Sequence, residues 1–129
     1  MNLKKLQYLI PLTAAGIMLF SACEKDYLTQ KKVEISSAVS FSHDIVPILV
    51  EDCAKSSCHV TGAQSPDLSA SRAYDELNGL GYVDTTNAAA SLLYVRITAT
   101  TNPMPPDQPL TPEEKGFILA WIRQGAQNN

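Results

Sequence analysis

A chain of 129 residues with ten basic and thirteen acidic side chains, net charge −3, has room for one domain at most. No basic patch runs through it, which argues against nucleic acid as a partner. A core of this size is marginal without something to staple it.

Residues 1–5 give a short basic start, and residues 6–20 are mostly apolar, interrupted by Gln7 and Pro11. That run is too short and broken for a membrane-spanning helix and has the layout of a secretory signal. It leads into Phe20-Ser21-Ala22-Cys23, which resembles a bacterial lipoprotein box. The resemblance implies a signal peptide over 1–22, cleavage before Cys23, and lipidation of the Cys23 sulfur. An ordinary signal peptide with an incidental cysteine is the alternative. Loss of Lys4 and Lys5 leaves the mature chain more acidic, a surface suited to a basic partner. Residues 23–40 are polar, mixed in charge and without period, and read as a flexible tether. A short edge element around Val33 and Ile35 is possible but not required.

The folded domain is expected over 41–129. Asp44 is a suitable N-cap, with Pro47 in the first turn of the helix it would start. Ile45, Ile48, Leu49 and Asp52 follow helical spacing, and the helix delivers Cys53. There the chain reads Cys53-Ala54-Lys55-Ser56-Ser57-Cys58-His59. A Cys-x-x-Cys-His run marks covalent attachment of a c-type haem; here four residues separate the cysteines. The adjacency of Cys58 and His59 is intact, so a thioether and a proximal imidazole would fall on the same edge of one macrocycle. The longer gap requires an excursion. Residues five apart on a helix differ by roughly 140° in direction, so Lys55, Ser56 and Ser57 must loop out if Cys53 is to join. In an oxidising compartment the two thiols could instead form a disulfide.

Beyond the loop over 61–66, a second helix is expected from Ser69 or Ser71 to Asn78, stopped by Gly79 and Gly81. A third is expected after Asn87 and up to Thr98, with Ala89, Leu92, Leu93 and Arg96 on one face. Residues 100–108 cannot be helix, because Pro103, Pro105 and Pro106 surround Met104. The last helix is the clearest. Thr111-Pro112-Glu113-Glu114 is a capping box with proline at the first helical position, Phe117, Ile118, Trp121 and Ile122 form an apolar side, and Gly125 ends it.

A six-coordinate haem iron needs a second axial ligand. With Met1 and Met18 lost in the signal, Met104 is the remaining methionine, and His43 is the only histidine besides His59. The fenced loop fixes the backbone around Met104 and lowers the entropy lost on presenting its sulfur. The plainer alternatives are a gap-filling methionine and a solvated or capping His43. His59 would coordinate as the neutral ring, with the Pro66 carbonyl as the candidate acceptor for its other N–H. Leu68 is expected beside the ring, and Arg96 or Tyr74 could bond haem propionates.

These residues together resemble a single-domain class I cytochrome c of the small bacterial lipoprotein type, from about Phe41 to Ala126. The resemblance implies an all-α cytochrome c fold: three or four short helices and long loops around one covalent haem c. It implies that the first and last helices cross, bringing Ile45, Ile48 and Leu49 against Ile118, Trp121 and Ile122. It assigns thioethers to Cys53 and Cys58 and axial ligation to His59 and Met104. The implied role is electron transfer, with no catalysis by this chain, at the cell envelope, by a lipid-anchored monomer that docks transiently with redox partners. The competing readings are a structural or binding lipoprotein stapled by a Cys53–Cys58 disulfide, and a haem enzyme or sensor in which Met104 is displaceable. A zinc site built on Cys53, Cys58 and His59 lacks an evident fourth ligand.

Overall fold

The computed structural model describes residues 32–129. The expected signal peptide over 1–22, the lipidation at Cys23 and the tether as far as residue 31 lie outside the described residues. Among the described residues every regular element is helical and there is no strand.

The first helix, α1, is three contiguous pieces: a π-helical turn Phe41–Ile45, an α-helical turn Val46–Ile48 and a second π-helical turn Leu49–Cys53. It starts earlier than Asp44. Ser40 is the N-cap: its hydroxyl accepts from the N–H of His43 at 3.2 Å, while its own N–H donates to the Asp44 carboxylate at 2.7 Å. Asp44 thus closes the cap from inside the helix, the reciprocal arrangement of a capping box shifted by one residue. The N–H groups of Phe41 and Ser42 would be left over, and Asn129 accepts both, each at 2.8 Å. Pro47 consequently lies inside the helix, where it cannot donate and its ring crowds the carbonyl four residues back. The wider π-helical turn ahead of it is the local accommodation.

The second helix, α2, spans Ala73–Gly79. It begins later than expected because Ser69 to Arg72 form a turn, with the N–H groups of Arg72 and Ala73 both donating to the Ser69 carbonyl at 2.9 Å. The expected third helix is broken. A 3₁₀ turn over Ala88–Ala90 is followed, after Ser91, by α3 over Leu92–Thr98. Ser91 is 1% exposed, and its hydroxyl both accepts from the Asp84 N–H at 2.8 Å and donates to the Asp84 carbonyl at 3.2 Å. A buried hydroxyl must be satisfied, and the chain turns at Ser91 to do it, leaving Ala89 exposed.

The last helix, α4, spans Pro112–Arg123 and carries the expected capping box between Thr111 and Glu114. Gly125 stops it at φ 95, a backbone conformation open to glycine. Ile118, Trp121 and Ile122 are fully buried in one core with Ile45 and Leu49 of α1, Leu77 of α2 and Ile97 of α3. Phe41 links the layers, its ring centroid 5.1 Å from that of Trp121 and 5.3 Å, edge-on, from that of Tyr74. The Trp121 indole N–H donates to the Gln127 carbonyl at 2.9 Å, so the largest core side chain is also satisfied.

Burial on α4 exceeds the single stripe read from the sequence: Gly116, Leu119 and Ala120 are buried as well. The cause is the chain ahead of α1. Residues 32–40, expected as the end of a free tether, lie along α4. A Cβ added at Gly116 would stand 2.7 Å from the Val33 carbonyl oxygen. Arg123 pairs with Glu34 at 3.0 Å, and the Gln124 amide bridges the Ser37 carbonyl and the Val39 N–H. Val39 is buried and Ile35 packs against the core, so a strap that looks polar in composition is anchored by its few apolar residues.

Candidate functional site

The second π-helical turn of α1 closes with the Ala54 N–H donating to the Leu49 carbonyl at 2.8 Å, and leaves Cys53 buried at the helix end. The chain then makes a tight turn over 55–58, with the Cys58 N–H on the Lys55 carbonyl at 2.9 Å and Ser57 at φ 67. Lys55, Ser56 and Ser57 are exposed. One residue later the His59 N–H returns to the Cys53 carbonyl at 3.2 Å. The residues in excess of a two-residue gap are thus put into a surface excursion, and Cys53, Cys58 and His59 line one cavity.

Both thiols are free. Burial pushes the Cys53 thiol up to about 12, with the neighbouring Asp52 carboxylate adding to the effect. A dry wall favours the neutral thiol over the thiolate.

His59 is oriented by the loop that follows it. Its Nδ1 lies 3.0 Å from the Pro66 carbonyl oxygen, the acceptor expected from the sequence. A carbonyl can only accept, so Nδ1 carries the proton, and in the neutral ring Nε2 is the nitrogen with the lone pair. The loop is shut by the Leu68 N–H on the His59 carbonyl at 2.8 Å and the Gln64 N–H on the Cys58 carbonyl at 2.9 Å. Asp67 clasps it, accepting from the Thr61 hydroxyl at 2.6 Å and the Ser69 N–H at 3.0 Å. The Thr61 hydroxyl, then Ser69, hold the Asp67 carboxyl below the usual carboxylate range.

Met104 comes from the opposite end of the chain. Its N–H donates to the Arg96 carbonyl at 3.0 Å, which pins the proline-rich loop to the last turn of α3. Helix ends leave such carbonyls without an intrahelical partner, so α3 supplies a ready anchor.

Cys53, Cys58, His59, Pro66, Leu68, Arg96 and Met104 all line the same cavity, of about 320 Å³. His43 does not; it is exposed at the start of α1. Tyr74 does not either; its hydroxyl donates instead to the Ala126 carbonyl at 3.1 Å. Leu77, Leu92, Leu93, Ile97 and Tyr82 also line the walls without having been singled out for it. For α3 a signal existed: Leu92, Leu93, Arg96 and Ile97 recur at helical spacing, and that face serves cavity and core together. Tyr82 had none, since it follows a two-glycine break; its carbonyl accepts from the Leu93 N–H at 3.0 Å, which ties its segment to α3.

The arrangement offers a soft sulfur donor, an imidazole nitrogen, two thiols and apolar walls. Among the described residues no three His, Cys, Asp or Glu side chains converge as they would around a bare metal ion.

The described residues form an all-α fold in which one cavity gathers both cysteines, His59 and Met104. No protein-family model matches the chain, and no curated protein matches it. Among solved structures it is similar to a chain of Kuenenia stuttgartiensis hydrazine synthase, at 27% identity and a TM-score of 0.55. The match covers 71% of this chain and 17% of that one, so this chain spans a minor part of its structural neighbour's length.

Proposed function

We propose that the chain is a class I c-type cytochrome, an electron carrier of the cell envelope. The observation that carries this reading is that Met104 and His59, 45 positions apart in the sequence, line one cavity with both cysteines. The cavity volume falls in the roughly 300–1,000 Å³ range of cofactor sites, and its walls are largely aliphatic. Both thiols line the cavity, where they would be available for covalent attachment. Cys53 and Cys58 would hold the haem, His59 would ligate through Nε2, and Met104 through its thioether, a soft donor suited to haem iron. The haem, when bound, supplies an iron that gains and loses one electron. With His59 and Met104 both holding the iron, no position would be left open for a substrate, and the residues would serve electron transfer. Arg96 at the cavity wall suits a propionate.

The lipoprotein-like Cys23, the acidic mature sequence and the absence of a basic patch support a membrane-anchored monomer that meets basic redox partners through small, transient interfaces. The likeness to a portion of a hydrazine synthase chain supports a unit that can also be carried within longer proteins.

The test is to purify the protein from a host with haem-attachment machinery. Haem that resists acid–organic extraction, with a matching gain in protein mass, is the expected result. Colourless protein at the mass of the bare polypeptide overturns the reading.

A further inference from the structure

Resting on that reading, we propose that Glu76 tunes His59 through the peptide bond between Pro66 and Asp67. Both ends of this one peptide unit are engaged. Its carbonyl accepts from His59 Nδ1 at 3.0 Å, and its N–H, that of Asp67, donates to Oε2 of Glu76 at 3.3 Å. A carboxylate that accepts from the N–H pushes electron density through the amide onto the carbonyl oxygen. The oxygen becomes a stronger acceptor, and the His59 ring gains imidazolate character. Hydrogen bonds in such chains strengthen one another by roughly 10–30% each. At metal sites a carboxylate bonded directly to a ligand histidine raises the basicity of the ligand; here one peptide stands between the two.

Glu76 is placed for this role and held there. It lies on α2, its side chain is 19% exposed, and its other oxygen accepts from the Arg72 guanidinium at 3.2 Å. The carboxylate is therefore divided between two donors and keeps one orientation. The loop does not depend on it for shape, because the Asp67 clasp to Thr61 and Ser69 and the bond from Leu68 to His59 hold it independently. Arg72 and Glu76, four apart, have the spacing of an ordinary surface ion pair. A plain surface pair would affect stability slightly and the haem not at all.

The experiment compares Glu76→Gln with Asp75→Asn in the full haem-loaded chain. Glutamine keeps an oxygen for the Asp67 N–H while removing the charge. Asp75 is the neighbouring acidic residue, exposed and without a hydrogen bond to that peptide, so it controls for charge alone. The relay requires an upward shift in reduction potential for Glu76→Gln that exceeds the shift for Asp75→Asn. It also requires an upfield move of the His59 Nδ1 proton resonance in Glu76→Gln only. Equal potential shifts with an unmoved Nδ1 resonance overturn the relay. Absence of attached haem in the unaltered chain overturns the electron-carrier reading instead. In that case the Asp67 amide and His59 Nδ1 resonances of the haem-free chain decide the relay: an upfield move in Glu76→Gln supports it, and no move sinks it.

Discussion

The Pro66 carbonyl oxygen lies 3.0 Å from Nδ1 of His59, and this contact decides which ring nitrogen is free. With Nδ1 occupied as a donor, Nε2 is the nitrogen left for coordination. The loop between the two residues is closed by backbone bonds at both ends, so the imidazole is oriented before any ligand arrives. Preorganisation of this kind lowers the entropy lost on binding.

Met104 gives the most direct test of the ligand set. Met104→Ala removes the thioether from the cavity wall while leaving the backbone bond from residue 104 to Arg96 in place. The haem-loaded protein is expected to show a lower reduction potential and to bind added imidazole, followed by absorbance titration. Unchanged spectra would remove Met104 from the set.

Cys53 makes stability depend on alkaline pH. Its thiol ionises near 9.0 when exposed and near about 12 in the fold. Above pH 9 the unfolded chain loses this proton while the folded chain keeps it, so the fold is progressively disfavoured up to about pH 12. The expected slope from this group is about 1.4 kcal/mol per pH unit, read from urea unfolding of the haem-free protein. Cys53→Ala should remove that component. At neutral pH a thiol reagent should modify half-buried Cys58 and spare Cys53, which mass spectrometry can assign.

Thr111 tests the cap of α4. Its hydroxyl accepts from the Glu114 N–H at 3.2 Å and donates to the Glu114 carboxylate at 2.8 Å. Thr111→Ala should cost about 1 kcal/mol, a drop in Tm of about 4–8 °C for a domain of this size. The haem spectrum should not change, because neither Thr111 nor Glu114 lines the cavity.

Gly116 tests the strap. Alanine in a helix interior normally gains about 1 kcal/mol over glycine, but here its Cβ would meet the Val33 backbone oxygen at 2.7 Å. Backbone cannot rotate aside, so Gly116→Ala should destabilise by about 1–3 kcal/mol. Amide exchange at residues 33–39 should speed up more than elsewhere. A net gain in stability, with exchange unchanged, would mean that the strap is not packed on α4.

Much of this molecule could be read from local chemistry. The capping box at Thr111 and Glu114 and the stop at Gly125 were legible because a helix end needs partners within a few residues of itself. Cys53, Cys58, His59 and Met104 could be singled out because thiols, an imidazole and a proline-fenced thioether are chemically unusual in so small a core, and all four line the one cavity. The failures share a different cause. Asp44 looked like a cap until Ser40 and Asn129 were seen to share the start of α1, and Asn129 is 85 positions further along the chain. Ser91 breaks the third helix to reach Asp84, and the strap over 32–40 folds down because Gly116 leaves a trough for it.

The sequence by itself determined the helical class, the cap of the last helix and the inventory of donors, since each depends on neighbours along the chain or on side-chain chemistry alone. Only the tertiary structure decided that Met104 faces the same cavity as His59, that the Pro66 peptide stands between His59 and Glu76, and that the strap belongs to the core. Those relationships depend on how the loops close and how the elements pack. Closure and packing are set by hydrogen bonds and excluded volume between residues far apart in the chain, and no local pattern records them.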